Sequence, residues 1–210
     1  MTHSFELFKA KRYDKWFEEH VNLYLTELRV LKSMNPQKPA LEVGVGTGRF
    51  ASLLGVEFGV DPSLSMLQEA KRRGVMVVRG VGESLPFRDG AFREVLLVVT
   101  ICFLERPKRV YEEVRRVLVE DGFVTTCFIP KSSPWGIYYQ RLAMKGHPIY
   151  REARFYDVHE VKELLAKAGF EVVKARGAIT HKPPLEVLEE PSPHVEDKSF
   201  VCLKAKRLQS

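Results

Sequence analysis

The residues best suited to chemistry lie close together in the chain. Gly44, Gly46 and Gly48 fall within "LEVGVGTGRF" (41–50), Glu42 stands just before them, and Asp61 ends the next apolar run. Glycine reaches positive φ at little cost and, lacking Cβ, lets the backbone come against a ligand. The apolar "PALEV" before the loop and the helix-like "GRFASLL" after it make a strand-to-helix turn, the place where nucleotide-type ligands bind in α/β sheets. Two ligand types compete for such a turn. A pyrophosphate calls for G-x-G-x-x-G at a helix N-terminus. Here the spacing is G-x-G-x-G, Arg49 holds the place of the third dinucleotide glycine, and the Glu42 carboxylate would repel an anion. That carboxylate suits a ligand with a cationic end, by direct contact or through water. Asp61 can accept hydrogen bonds from two ribose hydroxyls, or can simply cap the helix beginning in "PSLSML". The glycine loop at the right distance favours ribose.

These residues need a scaffold, and the hydrophobic pattern supplies one. Apolar positions at Trp16, Phe17, Val21, Leu25, Leu28 and Leu31 predict one helix over 13–33, ended by "NPQKP". Strands are expected at "PALEV", "VEFGVD", "VMVVRG", "EVLLVVTICFL" and "FVTTCFI". Helices are expected at "GRFASLL", "PSLSMLQEAKRRG" and "PKRVYEEVRRVLVEDG". The fourth strand is apolar almost throughout, as in a strand buried on both faces. A helix at "DVHEVKELLAKAG" and strands at "FEVVKARGAI" and "SFVCLKAK" follow. The last two strands have no helix between them and should pair antiparallel. The expected fold is therefore a doubly wound, mainly parallel, seven-stranded α/β sheet with the last strand antiparallel. One domain is expected over 1–210, with a helical cap at 1–36 and an irregular, Pro-, Gly- and aromatic-rich insertion at 130–156 acting as a lid.

Composition narrows the function classes. No apolar run is long enough for a membrane span or a signal peptide, so a cytoplasmic protein with no membrane partner is expected. The net charge of +6 and pI near 9.2 come from basic residues scattered beside acidic ones on helix faces, so no nucleic-acid partner is expected. Cys102, Cys127 and Cys202 lie far apart in apolar runs, with no CxxC or Cys/His cluster. They are expected to be buried and reduced, with no metal site.

Four segments in order, "LEVGVGTGRFASLL", "GVDPSLSMLQEAKRRG", "GVGESLPFRDGAF" and "EEVRRVLVEDGFVTTCF", resemble successive motifs of the class I S-adenosylmethionine-dependent methyltransferases. The resemblance is greatest to the subset acting on small molecules and quinone or sterol precursors. It runs over about 38–130 and resumes at "RFYDVHEVKELLAKAGFEVVKARG". It implies a methyltransferase fold, S-adenosylmethionine as cofactor with S-adenosylhomocysteine as product, and a small-molecule methyl acceptor. It further implies that Glu42 and the Gly44–Gly48 loop line the methionine moiety and that Asp61 holds the ribose. Met66 would pack on adenine, with Pro62 or Leu64 as alternatives. The family's G-D-A-E-x-L-P-F reads "GVGESLPF" here, with Val81 replacing the Asp that takes the adenine amino group. The Gly82 N–H would then meet an adenine ring nitrogen, and Glu83 would stand in for the acid. "AFREV" replaces F-D-x-V, with Arg93 where the family usually has a structural acid.

Methyl transfer from a sulfonium is an in-line displacement that needs alignment and dryness more than a nucleophile or metal, and no catalytic triad is legible. Thr100, Ile101, Cys102 and Phe103, after the fourth strand, would face the methyl group, and Thr100 is counted with the cofactor residues. The absence there of N/D-P-P-Y/F argues against nucleobase or amide acceptors. Tyr13 and Trp16 of the cap, and Trp135, Tyr138, Tyr139, His147 and Tyr150 of the insertion, are the candidate acceptor-facing residues. Most such aromatics serve as core, and His147 as a base is weaker than His147 as a loop residue.

Overall fold

A computed structural model of the 210-residue chain describes residues 10–209. Residues 1–9 of the expected cap lie outside the described residues. A seven-stranded sheet has the order β3-β2-β1-β4-β5-β7-β6. Its strands are β1 (Ala40–Val43), β2 (Phe58–Asp61), β3 (Met76–Arg79), β4 (Phe92–Val98), β5 (Leu118–Phe128), β6 (Phe170–Ala178) and β7 (Phe200–Arg207). The first five run parallel, and β7 inserts antiparallel between β5 and β6. Strand order reverses between β1 and β4, which opens the crevice at their carboxyl ends.

Helices cover both faces. On one face α5 (Pro107–Val117) and α7 (Val158–Lys167) bury Val110, Val114, Val161 and Leu165 against the sheet. On the other lie α1 (Ala10–Glu19), α2 (Val21–Met34), α3 (Arg49–Leu54), α4 (Leu64–Arg72) and α6 (Pro134–Met144), with a core through Leu28, Leu31, Phe50, Leu67 and Trp135. All four residues of β1 are buried, as a central strand covered on both faces requires.

Four expectations need correction. The single helix over 13–33 is two, broken at His20 (φ −118°, ψ 49°). The break lets α1 lie over the glycine loop, while α2 packs on β6 and β7. The fifth helix ends at Val117, and "LVEDG" is the start of β5, where a register irregularity and Asp121 at φ 61° absorb the extra residues. The apolar run of β4 ends at Val98; Ile101–Phe103 form a 3₁₀ turn. Cys127 and Cys202 are joined in a disulfide rather than reduced, because β7 docks with Cys202 directly opposite Cys127 at a Cα–Cα distance of 4.0 Å. Cys102 is free, and burial pushes its thiol up to about 12, which leaves it unionised and inert as a nucleophile.

Arg93 is exposed, and the neighbouring Glu94 is the buried acid of this strand. It pairs with Lys204 of β7 at 2.7 Å, accepts from Thr125 Oγ1 at 2.6 Å and from the Gln37 N–H at 2.8 Å. Lys204 also donates to the carbonyls of Met34 and Asn35. One ion pair thus joins the end of α2 to three strands.

Candidate active site

The three loop glycines all have positive φ, yet their missing Cβ atoms serve different purposes. A Cβ on Gly44 would stand 2.6 Å from the Thr100 side chain, and one on Gly48 would stand 2.9 Å from Ala70 of α4. Only Gly46 faces open space, with the Tyr13 ring 3.7 Å from its Cβ position. The backbone bends sharply at Val99 (φ 52°), a left-handed conformation that costs a β-branched residue roughly 1–2 kcal/mol. That bend carries Thr100 toward Gly44 and the Ile101–Phe103 turn along the crevice.

A cavity of about 50 Å³ lies at the loop, lined among others by Gly44, Gly46, Asp61, Pro62, Met66 and Thr100. Six of the ten cofactor candidates are therefore brought together. Glu42 is buried behind them at 2% exposure, and its Oε2 has no hydrogen-bond partner. Gly48 serves helix packing. Gly82 packs on Val43 and Val110, with Cβ distances of 3.1–3.2 Å, and neither Gly82 nor Glu83 borders this cavity.

The Asp61 carboxylate is held in place by the backbone N–H groups of Gly46 (3.0 Å) and Ser63 (2.9 Å). Burial raises its pKa, while those two donors oppose the rise. Burial, reinforced by the charge of Asp61, raises Glu42 to about 8. A buried carboxyl with one unpartnered oxygen, beside a second acid, is what a cationic group would satisfy. Asp61 with free lone pairs is suited to a pair of hydroxyls. Two buried acids, one with an unpartnered oxygen and one with open lone pairs, thus border the glycine-loop crevice, a donor set that fits S-adenosylmethionine.

Arg49, a departure from the dinucleotide pattern in the sequence, proves to be a clamp. It donates to Asp14 of α1 at 2.8 Å and to Glu18 at 2.9 Å, and Thr47 Oγ1 reaches Asp14 at 2.7 Å. Arg73 adds a third donor to Asp14. Burial raises the Asp14 pKa, but these hydrogen bonds outweigh it and hold the carboxyl below its usual range. The N-terminal helix is thereby fastened to the glycine loop.

Beyond Tyr13 opens a second cavity of about 490 Å³. Tyr13, Val98, Val99 and Phe103 line both cavities. The remaining wall is largely aromatic: Trp16, Trp135, Tyr138, Tyr139, Tyr150 and Phe155. Tyr139 and Tyr150 have ring centroids 4.5 Å apart, and His147 stacks on Tyr150 at 4.7 Å. The stretch 180–190 closes one side, bound to α2 through Thr26 and Glu189 and to α6 through Trp135 Nε1 and the His181 carbonyl. Glu27 of α2 was not singled out from the sequence. It lines this cavity at 5% exposure, and burial alone raises it to about 8.

These raised acids predict a pH effect of definite sign. Glu27 and Glu42 bind protons near 4.5 when unfolded and up to about 8 when folded, so stability should fall as pH rises across that window. His147, which burial lowers from 6.5, acts in the opposite sense. A Glu27→Gln/Glu42→Gln variant should therefore lose less melting temperature than the parent between about pH 5.5 and about pH 8.5. Identical curves would show that both carboxyls ionise freely.

A strand-reversal crevice with a glycine loop and two buried acids is the place where doubly wound α/β sheets bind their ligands. The methyltransferase-domain family model matches residues 41–126. A structure from Thermotoga maritima, a SAM-dependent methyltransferase described as a possible histamine N-methyltransferase, is 35% identical with TM-score 0.92, covering 98% of both chains. An uncharacterized protein of Methanocaldococcus jannaschii is 39% identical over 81% of this chain and 82% of its own length. One of Mycobacterium tuberculosis is 43% identical over 83% of this chain, and the match spans 62% of that relative's length. The chain belongs to the class I S-adenosylmethionine-dependent methyltransferases. Among the described residues no helix is long and apolar enough to cross a membrane, and no cluster of His, Cys, Asp or Glu could hold a metal.

Proposed function

We propose that the enzyme methylates a small organic molecule held in the aromatic cavity, with α1–α2 as a cap and residues 130–156 as a lid. The observation that carries this reading is the pair of adjoining cavities sharing Tyr13, Val98, Val99 and Phe103 as common wall. The larger has the volume of a small-molecule site and a largely aromatic wall. The cofactor supplies a methyl group on a sulfonium together with its own leaving group. The chain supplies position. Asp61 binds the ribose, Glu42 faces the cationic end, and the Val98–Phe103 turn separates donor from acceptor and fixes their line of approach. No base is assigned; burial keeps the Cys102 thiol protonated.

The test is an extract incubated with methyl-labelled S-adenosylmethionine and fractionated by size, alongside calorimetric binding of S-adenosylhomocysteine. Label in the low-molecular-weight fraction is expected. Label confined to RNA or protein would overturn the acceptor class, and failure to bind S-adenosylhomocysteine would overturn the cofactor site.

A further inference from the structure

The larger cavity has an unusual charge inventory. Among the described residues its ionisable side chains besides the phenols and the Cys102 thiol are Glu27, Glu186, His20 and His147, and neither Lys nor Arg lines it. Glu186 is already paired with His20. Glu27 stands within α2 with its carboxyl on the cavity wall, nine-tenths buried, and with burial as the sole cause of its raised pKa. No donor or opposite charge among the described residues offsets that burial. The groups that feel its charge are the phenols of Tyr13 on α1, Tyr139 on α6 and Tyr150 on the turn beyond it. All three rings line the same cavity.

A carboxylate nine-tenths buried on an aromatic wall has two stable conditions: protonated, or facing a cation. The rings favour the second, because their faces carry negative quadrupole charge and attract an ammonium. An anionic ligand would meet two acids and, among the described residues, only the imidazoles of His20 and His147 as bases, the first already paired with Glu186. From this juxtaposition we propose that the cavity binds an organic cation, an amine in its ammonium form, with the charged group on Glu27 and the apolar body among Tyr13, Tyr139, Tyr150 and Trp135. The assignment rests on the reading of this cavity as the acceptor site and names the acceptor's chemical class. Glu27 is a binding residue here; the transfer step is not routed through it.

The experiment measures direct binding to the full chain without turnover, using three probes of similar size: 2-phenylethylamine, 2-phenylethanol and 3-phenylpropanoate. The unmodified protein should bind the amine at least about tenfold more tightly than the alcohol, and the carboxylate weakest of the three. Glu27→Gln should remove about tenfold or more of the amine's affinity and leave the alcohol within about twofold. S-adenosylhomocysteine binding, read in parallel, should be the same in both proteins and certifies that the variant is folded. Equal affinity for amine and alcohol, a preference that survives in Glu27→Gln, tightest binding of 3-phenylpropanoate, or no amine binding in protein that binds S-adenosylhomocysteine would each overturn the proposal. Loss of S-adenosylhomocysteine binding by the parent protein would count against the methyl-transfer reading instead, so the two failures are read on different ligands.

Discussion

Glu94→Ala should lower the free energy of unfolding by roughly 3–5 kcal/mol, the usual cost of leaving one member of a buried ion pair alone. The Glu94 side chain is 0% exposed and that of Lys204 is 7% exposed, so water cannot replace the lost partner. The Met34 and Asn35 carbonyls would still accept from Lys204, but carbonyl dipoles do not neutralise an ammonium. The Thr125 hydroxyl and the Gln37 N–H would lose their acceptor as well. A Glu94→Leu/Lys204→Met variant should recover most of the loss, since a well-packed apolar pair often equals a buried salt bridge. Denaturant unfolding of the three proteins decides it. A single-variant loss below about 1 kcal/mol would mean that the pair behaves as a solvated one. Glu94 pairs with Ala40 at the amino end of β1, away from the glycine loop, so cofactor affinity of the folded protein should be unchanged.

That ion pair also shows where sequence reasoning ends. The alternation of strands and helices was legible because β1 and β4 are apolar on both faces and glycines punctuate the turns. The antiparallel end was legible because no helix separates the last two strands. The position of β7 between β5 and β6 was not, and everything set by its register was hidden with it. Glu94 meets Lys204, and Cys127 meets Cys202, only because β7 docks in that register. At the site, Glu42, the glycines and Asp61 stood out because their types and spacing constrain one local turn. Arg49 looked like a missing glycine, although its work is to grip Asp14, far back in the chain. Glu27 was invisible for a different reason. The apolar stripe of the first helices pointed Val21 and Leu25 inward, yet these are 48% and 37% exposed while Glu27 is buried. The break at His20 changes which side of α2 faces the cavity, and local periodicity cannot register such a break.

Asp61→Ala should weaken S-adenosylhomocysteine binding by about 1–3 kcal/mol, or about 5- to 150-fold, through loss of charge-assisted hydrogen bonds to the ribose. The carboxylate is suited to that role because it is fixed before any ligand arrives. Gly46 N–H holds one oxygen and Ser63 N–H the other, which leaves a lone pair on each for the cavity. The alternative role, a helix cap alone, makes a different forecast: Asp61→Ala would lower stability and leave the affinity of the folded protein untouched. Asp61→Asn sharpens the contrast. Its amide would turn an NH₂ toward either Gly46 or Ser63, so one N–H loses its acceptor and only one oxygen remains for two hydroxyls. Affinity should then fall nearly as far as in the alanine variant. At saturating cofactor the turnover rate should fall much less than the affinity, because a carboxylate on the ribose, as proposed for Asp61, is remote from the methyl group and contributes equally in ground and transition states. Calorimetry and steady-state kinetics on the two variants separate these roles, and unchanged affinity in both would remove Asp61 from the cofactor site.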